Sequence, residues 1–364
     1  MLTPTLLVFA LAFGVATITT PALRRVAPRM GWVDVPAGRK AHRQPTPLLG
    51  GLAIYAAVVG ALALTGDPGA ATQLAGIVAG ATLVGVVGAI DDRRPLPPLV
   101  KLGGQVAAVA VLIASGVRTQ LLDGGLGDIA LTAAWMLAVT NALNFQDNMD
   151  GLAGGLAGIA AAWFVLLAVA NGQLLVAPLA AAVVGACLGF LRYNFNPASI
   201  FMGDAGSLFL GFTLAALGLK LRFPSLSPSV SWIIPPLVLA PALFDLALVT
   251  TSRLRRGVNP FTTAGRDHLS HRLLALGATT REATMALYLV ACAAGALALL
   301  TSFAGGAEAL AVLALVVALG AWGLWWLELR AGAPRSAAVV EPATAPVVQV
   351  TAEPAIEPVA EPPA

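Results

Sequence analysis

Apolar windows of about 17 to 23 residues recur along nearly the whole chain. Crossing about 30 Å of hydrocarbon takes about 20 helical residues at 1.5 Å each. A single backbone segment in lipid must also satisfy its own hydrogen bonds, so each window reads as a helix. Eleven candidate spans lie near residues 4–23, 48–65, 71–90, 99–117, 129–146, 152–170, 174–191, 205–221, 230–251, 282–303 and 308–328. The predicted fold class is therefore all-α, a polytopic membrane helix bundle of about 11 transmembrane helices. Composition excludes a soluble domain: 58% of residues are hydrophobic and only 11% charged, with a mean hydropathy of +0.85.

Basic residues predict the orientation, because Lys and Arg in short loops stay on the cytoplasmic side. With the N-terminus outside and the C-terminus cytoplasmic, 18 of the 21 Lys and Arg fall inside, leaving only Arg118, Lys220 and Arg222 outside. That bias explains the basic excess without a nucleic-acid partner. The first segment has no basic residue before its apolar stretch and a basic cluster after it, which suits a retained helix better than a signal peptide. Cys187 and Cys292 both fall inside spans and read as packing residues. From about residue 331 the chain turns to Pro, Glu, Ala and Val, so residues 1–330 are expected to form the membrane domain and 331–364 a disordered cytoplasmic tail.

Eight of the eleven Asp then gather at cytoplasmic helix ends or loops, among them Asp91, Asp92, Asp147, Asp150, Asp204, Asp245 and Asp267; Asp67, Asp123 and Asp128 are expected outside. A carboxylate near hydrocarbon costs about 2.5 to 3.5 kcal/mol at a helix centre and is a functional hypothesis by default. Asp245 within an apolar span and the tandem Asp91–Asp92 resist explanation as solubility residues. Oxygen ligands without nearby Cys favour Mg²⁺, with Mn²⁺ serving in its place. In "NALNFQDNMDGLAGG", Asn141, Asn144 and Asp147 at i, i+3 and i+6 share one helix face within an arc of about 120°. Gly151 then opens the next span, where backbone can approach a ligand. "RYNFNPASIFMGDAGS" sets Asp204 between glycines near Phe201, an arrangement that suits a metal ligand with a base-stacking neighbour. "RLRRGVNPFTTAGRDHLSHRLLALG" gathers His268, His271 and Arg272, donors suited to phosphate oxygens. The third His, His42, lies in another basic cytoplasmic segment.

These motifs, with "DVPAGRKAHRQPTPLLGG" and "DDRRPLPPLVKLGGQ", come in an order and at spacings that resemble the polyprenyl-phosphate N-acetylhexosamine-1-phosphate transferases over residues 1–330. The resemblance implies a Mg²⁺-dependent enzyme of the bacterial inner membrane, with its active site on the cytoplasmic face. Its partners would be a UDP-N-acetylhexosamine, undecaprenyl or another polyprenyl phosphate, and membrane lipid; a homodimer is compatible. The reaction would pass the sugar 1-phosphate to the lipid phosphate and release UMP, as the first membrane step of a cell-envelope polysaccharide. By motif position, Asp204 is the expected metal ligand with Asn144, and Asp91 the base or orienter of the lipid phosphate. Asp92 and Asp147 would join them as catalytic carboxylates. Lys101, Asn141, Asp150, Asn194, Phe201, His268, His271 and Arg272 would bind substrate, with Phe201 stacking on uracil.

Two positions depart from the family pattern: Asn148 stands where Gly usually follows the Asp, and Ser270 interrupts the His run. There is no run of three His and no "PTMGG", so GlcNAc-1-phosphate transfer is favoured over the phospho-MurNAc-pentapeptide reaction of peptidoglycan synthesis. A secondary transporter is the other polytopic class with intramembrane carboxylates. It would carry them near the midplane, often on two related halves, and neither feature is evident.

Overall fold

The computed structural model describes residues 2–35, 45–65, 71–122, 124–224, 226–260, 263 and 265–329. The basic segment around His42, the outer Asp67 and Asp123, and the Pro-rich tail lie outside these. In chain order the helices are α1 (Leu2–Val26), α2 (Gly50–Thr65), α3 (Ala71–Arg93), α4 (Pro98–Ala114), α5 (Leu126–Gln146), α6 (Leu152–Ala170) and α7 (Val176–Asn194). They continue with α8 (Gly203–Lys220), α9 (Pro228–Ser231), α10 (Ile234–Val238), α11 (Ala240–Arg255), α12 (Leu269–Ala275), α13 (Thr280–Thr301) and α14 (Gly306–Leu329). A minimal antiparallel ribbon joins β1 (Val33–Asp34) to β2 (Thr46–Pro47).

The architecture is an all-α membrane bundle. Length and hydropathy qualify seven helices among the described residues as spans: α1, α3, α5, α6, α7, α13 and α14. The other predicted windows are shorter or broken. Helices α2 and α4 have 16 and 17 residues, and α8 carries Asp204 and Lys220 at its two ends. The window predicted at 230–251 is not one helix but α9, α10 and α11, because Pro235, Pro236 and Pro241 each remove a backbone donor and crowd the preceding turn.

Helix α8 is the axis of the bundle. It is buried along most of its length and packs against α2, α3, α5, α6 and α7. Glycine permits the closest approach: a Cβ on Gly88 of α3 would strike the backbone of Asp204. Asp91 and Asp92, one turn beyond Gly88, are thereby set against the N-terminus of α8. Without interhelical hydrophobic drive in lipid, such small-residue contacts carry much of the packing.

Candidate active site

A carboxylate–lysine cluster lies where α3, α4, α5 and α8 end together. The Pro-rich turn between α3 and α4 is closed by Leu96 N–H donating to Asp91 Oδ1 at 2.6 Å. That closure brings Lys101, in the first turn of α4, back to α3. Its ammonium donates to Asp91 Oδ2 at 3.1 Å and makes a short ion pair with Asp204. Asn144 Nδ2 donates to the other oxygen of Asp204 at 2.8 Å and to Ser207 Oγ at 2.9 Å. Asp92 accepts from the backbone N–H of Asp204 at 2.8 Å and of Ala205 at 3.1 Å, and so caps α8. Gly203 holds a left-handed φ of 72° at this junction.

Asp147 completes the group just past α5. Its carboxyl is driven well above the usual carboxylate range, first by burial and then by the charges of Asp204 and Asp92. Some of its surface stays accessible. Four carboxylates thus gather here, and two of them, Asp91 and Asp204, pair with the one ammonium. The donors are all hard oxygens. Among the described residues no three carboxylate or His groups close into a preformed cage.

A second group forms between the α5–α6 turn and the loop after α7. Asp150 accepts from Asn196 Nδ2 at 2.9 Å and Ala198 N–H at 3.0 Å. Asn194 accepts from Gly151 N–H at 3.1 Å and donates to the Ile200 carbonyl at 2.9 Å. Gly151 has φ of 75°, and Tyr288 of α13 donates to its carbonyl at 2.5 Å. Phe201 is half-buried, with its backbone tied to Pro47 and Gly50. Asp150 and Asn194 therefore spend their visible bonds shaping these loops.

The third group surrounds α12. Asp245, 1% exposed, accepts from His268 Nδ1 at 2.8 Å and from Leu269 N–H at 2.6 Å. The His268 proton is thereby set on Nδ1, and Nε2 is turned away from Asp245. His271 lies 5.9 Å from His268 between ring centroids. Burial, then the neighbouring His268 and Arg266, lower its pKa to about 4, so it is uncharged near neutrality. Burial would raise the Asp267 carboxyl, but hydrogen bonds from Arg256 and Arg253 outweigh it and hold the group below its ordinary range.

Helix α5 joins the groups. Asn144 touches Asp204, while the next residue, Phe145, meets His268 edge-on at 5.5 Å and lies under Arg253. Asn148 donates to the Phe145 carbonyl at 2.5 Å and accepts from Ser270 Oγ at 2.7 Å. The two departures from the family pattern are therefore direct partners.

Two expectations change. Asn141 does not face Asp204; it exchanges hydrogen bonds with Gln105 of α4 at 2.7 and 3.2 Å. Arg272 is 4% exposed and directs its donors inward, to Asp267 O, Leu327 O, Ser252 Oγ and Glu328. Gln105, Tyr288 and Glu328 were not singled out in the sequence. Their signal was present only as polar atoms within apolar runs.

Bundle and site together define a polytopic membrane protein with a carboxylate–lysine centre joined through α5 to a carboxylate-held histidine. The family model described as glycosyl transferase family 4 matches residues 74–222. The chain is 35% identical over 284 residues, 75% of its length and 78% of the relative's, to a Bacillus subtilis protein named probable undecaprenyl-phosphate N-acetylglucosaminyl 1-phosphate transferase. It is 36% identical over 310 residues (74% and 76%) to the decaprenyl-phosphate N-acetylglucosaminephosphotransferase of Mycobacterium tuberculosis. It is 30% identical over 298 residues (77% and 79%) to the undecaprenyl-phosphate alpha-N-acetylglucosaminyl 1-phosphate transferase of Escherichia coli. The chain belongs to glycosyl transferase family 4, among the polyprenyl-phosphate N-acetylglucosaminyl 1-phosphate transferases.

Proposed function

We propose that this protein transfers N-acetylglucosamine 1-phosphate from UDP-N-acetylglucosamine to a polyprenyl phosphate. A lipid phosphate oxygen attacks the β-phosphorus, the bond from that phosphorus to the bridging oxygen breaks, and UMP leaves. The observation that carries the reading is the convergence of Asp91 and Asp204 on Lys101, beside Asp92 and Asp147. Phosphoryl transfer needs positioning and charge neutralisation more than covalent help.

The excess of carboxylate over ammonium suits a divalent cation, and Mg²⁺ commonly uses one or two carboxylates with water and substrate phosphates as its remaining ligands. Asp204 and Asp91 would hold it, with Asn144 fixing the rotamer of Asp204. Bound there, Mg²⁺ supplies charge neutralisation to the diphosphate. Lys101 exchanges carboxylate for phosphate oxygen as substrate enters. His268 directs Nε2 toward the phosphates while Asp245 holds its far side. Phe201 and the Asp150–Asn194 loops bind the uridine.

Helices α2, α4, α8 and the α10–α11 segment complete eleven crossings, with the N-terminus outside and the site on the cytoplasmic side of the inner membrane. The strong asymmetry of Lys and Arg supports this orientation. Reporter fusions after Arg281 and after Asp123 are expected to read inside and outside respectively; the reverse pair refutes it. For the reaction, purified protein in detergent is given UDP-GlcNAc, undecaprenyl phosphate and Mg²⁺. UMP and a lipid-diphosphate sugar are expected. Release from another UDP-sugar alone overturns the donor assignment, and no release from any donor overturns the reaction.

A further inference from the structure

Helix α14 is exposed along most of its length: Leu310, Val317, Trp322 and Trp325 are all more than half exposed. Its last turn is different. Leu327 and Glu328 are each only 7% exposed, and Glu328 forms a short ion pair with Arg272, its other oxygen lying 3.6 Å from Arg255. Glu328 and Asp267 are the carboxylates facing the guanidinium groups of Arg253, Arg255, Arg256 and Arg272.

Arg272 carries the connection onward. Its Nε donates to the carbonyl of Asp267 at 3.1 Å, and its Nη1 returns to α14 at Leu327 O, 2.8 Å away. Asp267 immediately precedes His268. The backbone from 267 to 269 is thus pinned twice, at the Asp267 carbonyl by Arg272 and at the Leu269 amide by Asp245. Merely fastening α14 to the bundle would not require a bond to that carbonyl.

We infer that Glu328 is a positioning residue for His268, acting through Arg272 and the Asp267 carbonyl, so that the end of α14 is part of the catalytic unit. The inference rests on the transferase reading for its kinetic consequence and on the geometry alone for its structural one. An unpaired buried guanidinium is costly, whereas two apolar residues of similar volume can replace a buried pair without loss of fold. Glu328→Gln and the double variant R272M/E328M therefore test it together.

Turnover and amide hydrogen exchange are measured on the full chain in detergent. Both variants are expected to exchange faster across His268–Leu273. Their kcat is expected to fall by roughly 10-fold or more, since displaced catalytic groups lose rate steeply, while KM for donor and lipid moves little. The double variant should still unfold cooperatively, which shows that the fold persists. Unchanged exchange at His268–Leu273 in Glu328→Gln overturns the inference even if the double variant changes, as does wild-type kcat in Glu328→Gln. If the wild type releases no UMP, the transferase reading fails separately, and the exchange arm still decides whether Glu328 positions the loop.

Discussion

Replacing Asp245 by Asn removes one charge and one acceptor at a site with two donors. Leu269 N–H can only donate, so the single amide oxygen of the substituted side chain would go to it, leaving the NH₂ facing His268 Nδ1. Nδ1 must then accept, and the ring proton moves to Nε2. The ring thereby loses the acceptor that sets its tautomer and orientation. Hydrogen bonds to charged groups contribute about 1.5 to 3 kcal/mol, and with Asp245 1% exposed solvent cannot replace the lost acceptor. At about 1.4 kcal/mol per decade, kcat should fall by roughly 10- to 150-fold. KM should change less, because charge on the diphosphate grows in the transition state. The assay is UMP release at saturating lipid acceptor, with thermal unfolding in detergent to show that the fold persists. A folded Asp245→Asn enzyme with kcat within about twofold of wild type would refute the positioning of His268 by Asp245.

Asp204→Asn should reduce turnover at least about 100-fold, the scale of lost electrostatic stabilisation, while the protein still inserts and folds; near wild-type UMP release at limiting Mg²⁺ would dismiss Asp204 as a ligand. The cycle of Asn148→Gly, Ser270→Ala and their double variant should give a coupling of about 1 kcal/mol in unfolding stability. It should also shift relative kcat/KM among UDP-sugars several-fold; strictly additive effects would show that the 2.7 Å bond is inert. His271, depressed from 6.5 to about 4, is neutral when folded but takes up a proton when unfolded below pH 6.5. Stability should therefore decline as pH falls from about 6.5 to about 4 and level off below. His271→Gln should flatten that part of the unfolding-temperature profile, and an unaltered slope would count against the buried neutral ring.

The carboxylate cluster was legible because helix ends are legible. Asp91, Asp92 and Asp204 each stand where an apolar run stops or starts, and Lys101 follows Asp91 by little more than one turn-and-return of chain. Direction around a helix was not. An arc of about 120° spans two neighbouring helices, so Asn141 turns to α4 while Asn144 turns to α8. Hydropathy windows also overlook the missing N–H of proline, which is why one predicted span is really three helices. Arg272 showed its donors but not who would take them; its acceptors come from α11, from Asp267 and from the far end of α14. Attention to Asp alone passed over Glu328, a carboxylate in the same kind of position.

The same physical need produces both the fold and the chemistry here. A helix ending near lipid leaves backbone donors without partners, and a carboxylate from a neighbouring helix satisfies them well because it also meets the positive end of the helix dipole. Asp92 does this for α8, while Asp91, near the end of its own helix, closes the α3–α4 turn. Asp91 then has one oxygen engaged by backbone and the other by Lys101, whereas both oxygens of Asp92 are committed to α8. The two adjacent residues are therefore unequal. Asp91 has one oxygen held only by a side chain, while Asp92 holds Asp204 in place and can leave only by moving it. The tandem that reads in the sequence as two catalytic carboxylates is, in three dimensions, one group paired with Lys101 and one that fixes the helix carrying Asp204.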